Sequence, residues 1–566
     1  MSLYRLSKDR FLAALIAALF LSSIASASES PKLIVQITID QLRADLPSRY
    51  YDRFGDKGFK FFWENGTVYL DAHHAHANTE TIVGHTTLST GAQPAIHGMI
   101  GNIWLDRKTG KTNYNIEDPD FALLSSGADV NDDTEIDPTQ KAANSEGRSP
   151  RAILSSTFAD ELIAATNGVA KVYGVSIKDR GAVAMAGHGG KAFWFSKAIG
   201  QFVTSNYYFD AYPDWVSEWN AKGLPNQYAN TEWTLLNEQT SYLYGDSDDR
   251  EWETNLPGFG QTFPHAYGDA SGKYFTTFLT TSPAGDELTL DFAKTLIKEE
   301  SLGKDDVTDY LAISFSSTDY VGHLFGPSSL EAEDNILRLD RVLSDLVASI
   351  DESVGLKNVV FVLSADHGGP DTPGYLQSKG IPSAYIDPSA WEKDAAIARI
   401  KAKFKIKGKL IEQYSHPYVY LSDDADQGSD EGNRLLERAV ASELQNMQGV
   451  RLAVSSRDLA ENKVVNGPIH RAVLNNFYAP RSGDVYVVFE PNWFINDFDG
   501  LHVAATHGSP WTYDTHVPIV FVGRDIEEQQ IMRKIYTVDV AKTLSTLVDI
   551  KAPSGAFGEV LFEVFE

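Results

Sequence analysis

The most constraining feature of this sequence is a series of short apolar runs, rich in β-branched residues and separated by stretches with helical periodicity. Such runs, bounded by polar residues or glycine, are typical of buried strands in a parallel sheet. Helical patterns lie between several of them, for instance in residues 152–165 and 330–350. This alternation predicts an α/β sandwich around a mostly parallel sheet. The predicted strands are residues 33–38, 171–177, 310–315, 358–364, 484–489 and 518–522.

The length of the chain, 566 residues, is several times the roughly 150 residues of an average domain. A large α/β enzyme can carry long insertions on one sheet, so we expect a single catalytic domain over residues 28–566. The segments of about 193–292 and 368–482 interrupt the pattern of strands. We interpret both as insertions that cap the functional site.

The first 27 residues have the pattern of a signal peptide. A basic start precedes the apolar run 11–24 and the small residues Ala25-Ser26-Ala27. The apolar run is shorter than the roughly 20 residues that a membrane-spanning helix needs, and no later stretch is long and apolar enough. We therefore expect a periplasmic or secreted protein that has no membrane anchor after cleavage at Ala27.

Composition narrows the range of partners. The chain has no cysteine, which excludes disulfides and a lipid-modified N-terminal cysteine. Its formal net charge of −28 argues against nucleic acid as a partner. Acidic runs such as Asp246, Asp248 and Asp249 lack the spacing of an EF-hand, and we interpret them as solvated loops. No feature of the sequence indicates a protein partner.

Side chains that can bind metals follow several of the predicted strands. In an open parallel sheet, ligands bind beyond the carboxyl ends of the strands. Three aspartates and three histidines can be divided into two sites with open positions, as in a two-metal hydrolytic centre. Nitrogen and oxygen ligands without a thiolate favour zinc. The six candidate ligands are Asp40, Asp319, His323, Asp366, His367 and His507.

The segment 78–91 contains the candidate nucleophiles. A hydroxyl at a strand-to-helix junction can bind a metal and lose its proton, and the amides of the helix N-terminus then face a phosphate. The residue types alone do not distinguish among the hydroxyls, because each of them could instead cap the helix. The equivalent candidates are Thr79, Thr81, Thr86 and Thr87.

A set of motifs surrounds Thr81. His85 lies four residues later, and Thr90-Gly91 and then the segment His-Gly-Met-Ile-Gly-Asn at 97–102 follow. This order resembles the alkaline phosphatase superfamily, in the branch of the type I phosphodiesterases and nucleotide pyrophosphatases, and most of all its phosphate-irrepressible bacterial alkaline phosphatases. In that branch the nucleophilic threonine lies four residues before a histidine. The resemblance runs from Asp40 to about Val522 and selects Thr81 over its neighbours.

The resemblance implies a three-layer α/β sandwich of the alkaline phosphatase type, with two Zn²⁺ ions per chain. One zinc ion would be bound by Asp319, His323 and His507. The other would be bound by Asp40, Asp366 and His367, with Thr81 completing its ligands.

Other histidines lie close to these motifs. His502 and His516 flank His507 in the sequence and are the alternatives to it as a ligand. The dense cluster at residues 73–76 precedes the nucleophile on a predicted strand and matches no ligand of the family. We interpret His73, His74 and His76 as structural.

Lys178 and Arg180 distinguish between the members of the branch. Phosphatases of the irrepressible type have a lysine and an arginine two residues apart at this place, whereas the diesterases lack the pair. The positive charge of two zinc ions and these two bases is larger than the negative charge of the three aspartates and a Thr81 alkoxide. The excess is two charges, which matches a phosphate monoester dianion. The resemblance implies an alkaline phosphatase that forms a phosphothreonine intermediate from small-molecule phosphate monoesters. Asn102, Lys178 and Arg180 would contact the phosphoryl oxygens.

Two other interpretations remain open. A phosphodiesterase or nucleotide pyrophosphatase of the same superfamily would share all six ligands. An inactive binding protein that the metals stabilise would keep them as well. A sulfatase is disfavoured because its oxidised nucleophile arises in a Cys-x-Pro-Ser-Arg motif or a serine equivalent, and the chain has no cysteine.

Overall fold

The computed structural model describes residues 30–565. The predicted signal peptide, residues 1–27, lies outside the described residues. None of the helices within residues 30–565 is both long and apolar enough to cross a membrane.

The strands that position the site lie along most of the chain. In chain order they are β1 (Leu33–Ile39), β2 (Gly66–His73), β3 (Ile103–Asp106), β4 (Lys111–Tyr114), β5 (Val172–Ser176), β6 (Lys191–Ser196), β7 (Gln201–Val203), β8 (Glu232–Trp233), β9 (His265–Ala266), β10 (Asp309–Phe315), β11 (Val359–Ser364), β12 (Ala384–Tyr385), β13 (Ile411–Ser415), β14 (Tyr418–Leu421), β15 (Val450–Ser455), β16 (Val485–Phe489), β17 (Trp493–Phe494), β18 (Asp497–Phe498), β19 (Leu501–His502), β20 (Ile519–Gly523) and β21 (Gln529–Tyr536).

The helices alternate with these strands. In chain order they are α1 (Asp45–Arg49), α2 (Phe59–Glu64), α3 (Thr81–Thr90), α4 (Pro94–His97), α5 (Pro138–Lys141), α6 (Phe158–Ala165), α7 (Asp179–Ala186), α8 (Asp214–Ala221), α9 (Phe275–Thr280), α10 (Pro283–Glu299), α11 (Ser317–Phe325), α12 (Leu330–Ser353), α13 (Pro373–Ser378), α14 (Ala395–Phe404), α15 (Asp430–Gln445), α16 (Ser456–Ala460), α17 (Pro468–Asn476), α18 (Thr512–Thr515) and α19 (Asp539–Leu547).

Nine strands form the central sheet of the described chain, in the order β21-β2-β20-β11-β1-β10-β5-β6-β7. The pairs around β1 and β10 are parallel, and so are β5 with β6 and β2 with β21. Strands β20 and β7 run antiparallel to their neighbours. The mostly parallel sheet confirms the predicted fold class.

The sheet is buried between two layers of helices. Alternate residues of β1 point to opposite faces, as the period of a strand requires. Leu33, Val35 and Ile37 pack in one apolar cluster with α2, α10 and α12. Ile34 packs in another cluster with side chains of α3, α6 and α19. Because both faces are covered, all seven residues of β1 are buried and can be apolar without alternation.

Two of the predicted strands differ from the expectation of a single parallel sheet. Residues 484–489 form β16, which lies in a separate antiparallel sheet of order β13-β14-β16-β15. That sheet packs on α14 and α15 around its own core, which includes Val440 and Val487. Residues 518–522 form β20, which is antiparallel within the central sheet. All of β16 and the first four residues of β20 are buried, so their composition matches that of a parallel strand.

The predicted insertions contain elements of different kinds. Residues 193–203 include most of β6 and all of β7 of the central sheet, and residues 283–292 begin α10. Between them, residues 204–282 form short helices and the strand pair β8–β9. Residues 368–482 contain α13 to α17 and three strands of the smaller sheet.

The register of the sheet brings four strand ends to one edge. Ile39 of β1 pairs with Phe315 of β10, and Thr38 pairs with Ser364 of β11. Ser314 of β10 pairs with Ser176 of β5. Since these strands are parallel, the residues that follow all four of them lie at the same carboxyl edge, where α/β sheets bind ligands.

Candidate active site and metal centre

Asp40, Asp366 and His367 form the first group of side chains at this edge, which we call the first cluster. Asp40 and Asp366 lie directly beyond β1 and β11, and all three side chains are fully buried. His367 Nε2 lies 3.4 Å from Asp40 Oδ1 and 3.3 Å from Asp366 Oδ2. Three ligand atoms from two strand ends therefore converge on one point.

Asp319, His323 and His507 form the second cluster. Asp319 and His323 are four residues apart on α11, which places both on one face of the helix. His323 Nε2 and His507 Nε2 each lie 3.3 Å from Asp319 Oδ1. The ring of His507 stacks on that of His367 with centroids 3.6 Å apart, so the two clusters adjoin.

The three histidines of these clusters share one orientation. Nδ1 of His323, His367 and His507 faces the carbonyl oxygen of Ala505, Gly368 and Thr79 at 2.8, 2.9 and 2.7 Å. A carbonyl only accepts, so each Nδ1 carries the proton and donates it. It is therefore Nε2 of each ring that faces the carboxylates, and in the neutral ring this is the nitrogen whose lone pair can bind a metal.

Buried polar atoms without partners mark the first cluster. Among the described residues, Asp40 Oδ1, Asp366 Oδ2 and His367 Nε2 make no hydrogen bond. Burial lowers the pKa of His367, but Asp366 and Asp40 outweigh it and raise that pKa to about 9. The cluster thus favours a positive charge at this point. The donor set and the unpartnered atoms fit a divalent cation.

Thr81 is the first residue of α3, which begins at the rim of the clusters. Its side chain is buried, and Arg180 Nη2 lies 3.5 Å from its Oγ1. Asn102 Oδ1 accepts the backbone N–H of Ile82 at 3.2 Å, so Asn102 lies at the same helix start. His85 Nδ1 lies 2.9 Å from the Thr81 carbonyl oxygen and 3.1 Å from Asp366 Oδ2, which ties this turn to the first cluster.

The other candidate hydroxyls make different contacts. Thr79 Oγ1 donates to the carbonyl oxygen of Ser509 and accepts the Ser509 N–H, so it holds the loop that carries His507. Thr87 Oγ1 donates to the Val83 carbonyl oxygen within α3. Thr86 Oγ1 has no hydrogen-bond partner among the described residues, and the Thr86 carbonyl oxygen accepts the Thr90 hydroxyl. Of the four, Thr81 is the one beside Arg180 and Asn102.

Lys178 and Arg180 lie at the start of α7, beyond the end of β5. Lys178 Nζ contacts Asp319 and lies 2.7 Å from Asp40 Oδ2, so it bridges the two clusters. Burial lowers the pKa of Lys178, but Asp319 and Asp40 together raise it above its ordinary value. Arg180 Nη1 is held by Asp137 Oδ2 at 2.9 Å, which directs Nη2 toward Thr81.

A cavity of about 170 Å³ lies between these groups. Thr81, Asn102 and Arg180 line one side of it, and the second cluster lines another. Its outer wall is apolar and includes Phe489, Phe494, Phe498 and Leu501. The cavity is large enough for a phosphate group with part of an ester substituent.

A family model described as type I phosphodiesterase / nucleotide pyrophosphatase matches residues 34–510. The chain belongs to this family. It is 34% identical over 548 residues to the alkaline phosphatase PafA of Elizabethkingia meningoseptica, with 95% of each chain covered. It is 33% identical over 539 residues to the alkaline phosphatase PhoV of Synechococcus elongatus, covering 95% of this chain and 93% of PhoV.

The fold of the family is shared as well. A crystal structure of wild-type PafA has a TM-score of 0.84 at 33% identity and covers 95% of this chain and 99% of that one. The predicted resemblance to the superfamily is thereby confirmed, together with the predicted α/β fold.

Three residues of the site were not predicted from the sequence. Gln41 Nε2 donates to Asp319 Oδ1 at 2.8 Å, and its backbone N–H donates to Asp366 Oδ1 at 3.2 Å. It adopts a φ of 65°, a conformation that is uncommon outside glycine and that directs it between the clusters. Asp514 accepts the Ser509 N–H at 2.9 Å, and His416 Nε2 donates to the Gly508 carbonyl oxygen at 2.7 Å. The last two fix the loop that carries His507.

The remaining histidines lie elsewhere. His74 Nε2 donates to the Ala365 carbonyl oxygen at 3.2 Å, and His76 Nδ1 lies 3.3 Å from Gln93 Oε1. His73 bonds Asp71 at 2.8 Å and stacks on His516 with centroids 4.7 Å apart. These three histidines and His516 are outside the two clusters.

Proposed function

We propose that this protein is an alkaline phosphatase that hydrolyses small-molecule phosphate monoesters. The observation that carries the proposal is the shared cavity, in which Thr81, Asn102 and Arg180 face the second cluster. The names of PafA and PhoV, which align with nearly all of the chain, support a phosphatase activity.

Two zinc ions would be held by the two clusters. Asp319, His323 and His507 would hold one, and Asp40, Asp366 and His367 with Thr81 the other. Bound zinc supplies positive charge that lowers the pKa of a hydroxyl and stabilises negative charge on phosphate oxygens. The unpartnered atoms of the first cluster and the common orientation of the three histidines support this assignment.

Thr81 is the proposed nucleophile. Its oxygen attacks phosphorus as the ester oxygen leaves on the opposite side, and a phosphothreonine forms. The positive end of the α3 dipole, at Thr81, would stabilise the negative charge of the phosphoryl group. Water then releases phosphate and restores the hydroxyl. Activity should increase at alkaline pH because the attacking oxygen must lose its proton first.

Arg180, Lys178 and Asn102 would bind the phosphoryl oxygens. Arg180 is already directed at Thr81 by Asp137, so its position costs little on binding. Lys178 brings a second positive charge to the junction of the clusters. Two bases beside two divalent cations favour the dianion of a monoester over the monoanion of a diester.

We further propose that the protein is exported and acts in the periplasm or outside the cell. The pattern of residues 1–27 supports export. Because the chain has no cysteine, export would bring no disulfides.

The test compares monoester and diester substrates for purified wild-type protein and for Thr81→Ala, with zinc measured in both. We expect faster hydrolysis of p-nitrophenyl phosphate than of bis-p-nitrophenyl phosphate. Thr81→Ala should lower the monoester rate by at least about 10³-fold, because the nucleophile is lost. Zinc should remain near two ions per chain in the wild type. Faster diester hydrolysis would instead identify a phosphodiesterase.

A further inference from the structure

A second group of carboxylates lies outside the candidate active site, where the first predicted insertion meets α12. Asp248 and Glu253 come from the loop that follows β8, and Glu331 comes from the first turn of α12. Glu331 is completely buried and Glu253 is 7% exposed. The expectation of solvated loops around Asp246 to Asp249 therefore does not hold for Asp248, whose neighbours in space are buried acids.

Each of these three carboxylates has an oxygen without a hydrogen-bond partner among the described residues. The atoms are Asp248 Oδ1, Glu253 Oε2 and Glu331 Oε2. Asp40 and Asp366, in the first cluster, show the same feature. A buried carboxylate oxygen that no donor reaches is costly unless a cation or a proton occupies the space beside it.

Neighbouring acids in the same turn of α12 are fully satisfied. Glu333 pairs with Arg53 and accepts the N–H groups of Leu243 and Tyr244. Asp334 pairs with Arg338 at 2.7 Å and accepts the Trp233 indole N–H at 2.7 Å. Glu333 and Asp334 thus each pair with an arginine, whereas Glu331, in the same turn, has no lysine or arginine partner among the described residues.

His265 points a nitrogen lone pair into the group. Its ring is completely buried, and Nδ1 lies 3.2 Å from the Phe259 carbonyl oxygen, to which it must donate. Burial lowers the pKa of His265 to about 4, so the ring is neutral. Nε2 then presents its lone pair to Glu331 Oε1 at 3.3 Å. This is the orientation of the three histidines in the active-site clusters.

The charges around the group do not balance without an additional cation or protons. Arg250 acts on Glu253 by lowering its pKa, but its Nη2 is bonded to Asp246 at 2.6 Å, and no ion pair within the described part of the chain joins it to the three acids. Burial raises the pKa of Glu253 to about 10, and burial together with Asp248 raises the pKa of Glu331 above its ordinary range. Burial is the main cause of both shifts, and repulsion by the neighbouring acids adds to it.

We propose that Asp248, Glu253 and Glu331, with His265, bind a divalent cation that is separate from the active-site metals. Three carboxylates make the site rich in hard oxygen donors, which suits Ca²⁺, while the imidazole nitrogen also admits Mn²⁺. The cation would tie the insertion loop to α12. Thr254, in that loop, donates its N–H to the Leu324 carbonyl oxygen at 2.7 Å, next to His323 on α11. The site thus stabilises the end of the helix that carries the second cluster.

The binding test uses Tb³⁺ as a probe on zinc-loaded protein. Trp233 lies with its ring 5.2 Å from that of His265 and can sensitise Tb³⁺ emission. We expect sensitised emission from the wild type that Ca²⁺ or Mn²⁺ displaces. Glu253→Gln and Glu331→Gln should each weaken Tb³⁺ binding at least tenfold. Asp246→Asn is the matched control, since Asp246 is an exposed acid of the same loop, and its emission should equal that of the wild type.

Element analysis of the untreated protein completes the test. We expect about one Ca²⁺ or Mn²⁺ per chain beside zinc, and the loss of that ion alone in Glu253→Gln. If Glu331→Gln does not fold, Glu253→Gln gives the same information, because Glu253 lies at the rim of the group. Wild-type protein with no third ion and no displaceable emission would overturn the proposal and leave a group of protonated carboxyls. The readouts do not depend on phosphatase activity, so they stand apart from the proposed function.

Discussion

At the scale of single residues, Arg180 is the side chain that would link the proposed nucleophile, Thr81, to substrate choice. Its Nη1 is fixed by Asp137, and its Nη2 lies 3.5 Å from Thr81 Oγ1. Arg180→Ala should lower kcat/KM for a monoester by about 10²- to 10³-fold, as the loss of a charged donor at a phosphoryl oxygen does. A diester, which carries less charge, should lose about tenfold or less.

The measurement is kcat/KM for p-nitrophenyl phosphate and bis-p-nitrophenyl phosphate in both proteins. Arg151→Ala serves as the control, because Arg151 is half-exposed and pairs with Asp118 and Asp120 at the surface. Equal losses for both substrates would show that Arg180 does not discriminate between them.

The residues of the site differ in how far the sequence could predict them. Asp40 and Asp366 follow predicted strands within two residues, so the sequence pattern alone places them at the carboxyl edge of the sheet. Gln41 is adjacent in sequence, yet its contact with Asp319 depends on a φ of 65° that no local pattern indicates. His416 and Asp514 act on the loop of His507 from other segments, so only the folded structure brings them together.

At the scale of elements, the contact between α3 and the end of β11 sets the distance between the proposed nucleophile and the first cluster. Gly84 faces Asp366 so closely that an added Cβ would lie 1.9 Å from the Asp366 carbonyl oxygen. Gly84→Ala should therefore push α3 away from the strand end. A displacement of about 1 Å at a catalytic group can cost on the order of 10²-fold in rate.

The experiment measures kcat, together with the melting temperature, for Gly84→Ala. The glycine-to-alanine control is Gly55→Ala, where the new Cβ would meet its nearest neighbour at an ordinary 3.5 Å. We expect a large fall in kcat and a lower melting temperature for the first variant and little change for the second. Unchanged kcat in a folded Gly84→Ala protein would contradict this account of α3.

The sequence pattern of a buried strand does not predict which sheet the strand joins. Strands β1, β10, β11 and β16 are all continuous buried runs, so their composition predicts burial on both faces. Residues 484–489 accordingly read like a central parallel strand, although they pair antiparallel in the smaller sheet with α14 and α15 on one side.

At the scale of the whole molecule, the two clusters connect distant parts of the chain. Their side chains come from residues 40, 319–323, 366–367 and 507, so folding must be nearly complete before either cluster exists. Binding of metal to such a site adds directly to the free energy of unfolding, because the unfolded chain offers no equivalent site. The smaller antiparallel sheet also supports the second cluster, because His416 beside it donates a hydrogen bond to the loop that carries His507.

This coupling predicts a pH dependence of the difference in stability between metal-loaded and metal-free protein. Without metal, Asp366 and Asp40 raise the pKa of His367 to about 9 in the folded state, against 6.5 for an ordinary histidine. A raised pKa stabilises the folded state fully below pH 6.5, and this contribution is lost as the pH rises through 9. Its full size is on the order of 3 kcal/mol.

Metal-loaded protein should not share this loss, because a cation then takes the place of the His367 proton. The melting temperatures of loaded and chelated protein, measured from pH 6 to pH 9.5, should therefore diverge as the pH rises, with the chelated protein falling. His507 does not titrate in this window, since burial and His367 lower its pKa to about 3. A difference in melting temperature that stays constant across the range would show that His367 carries no proton in the metal-free protein.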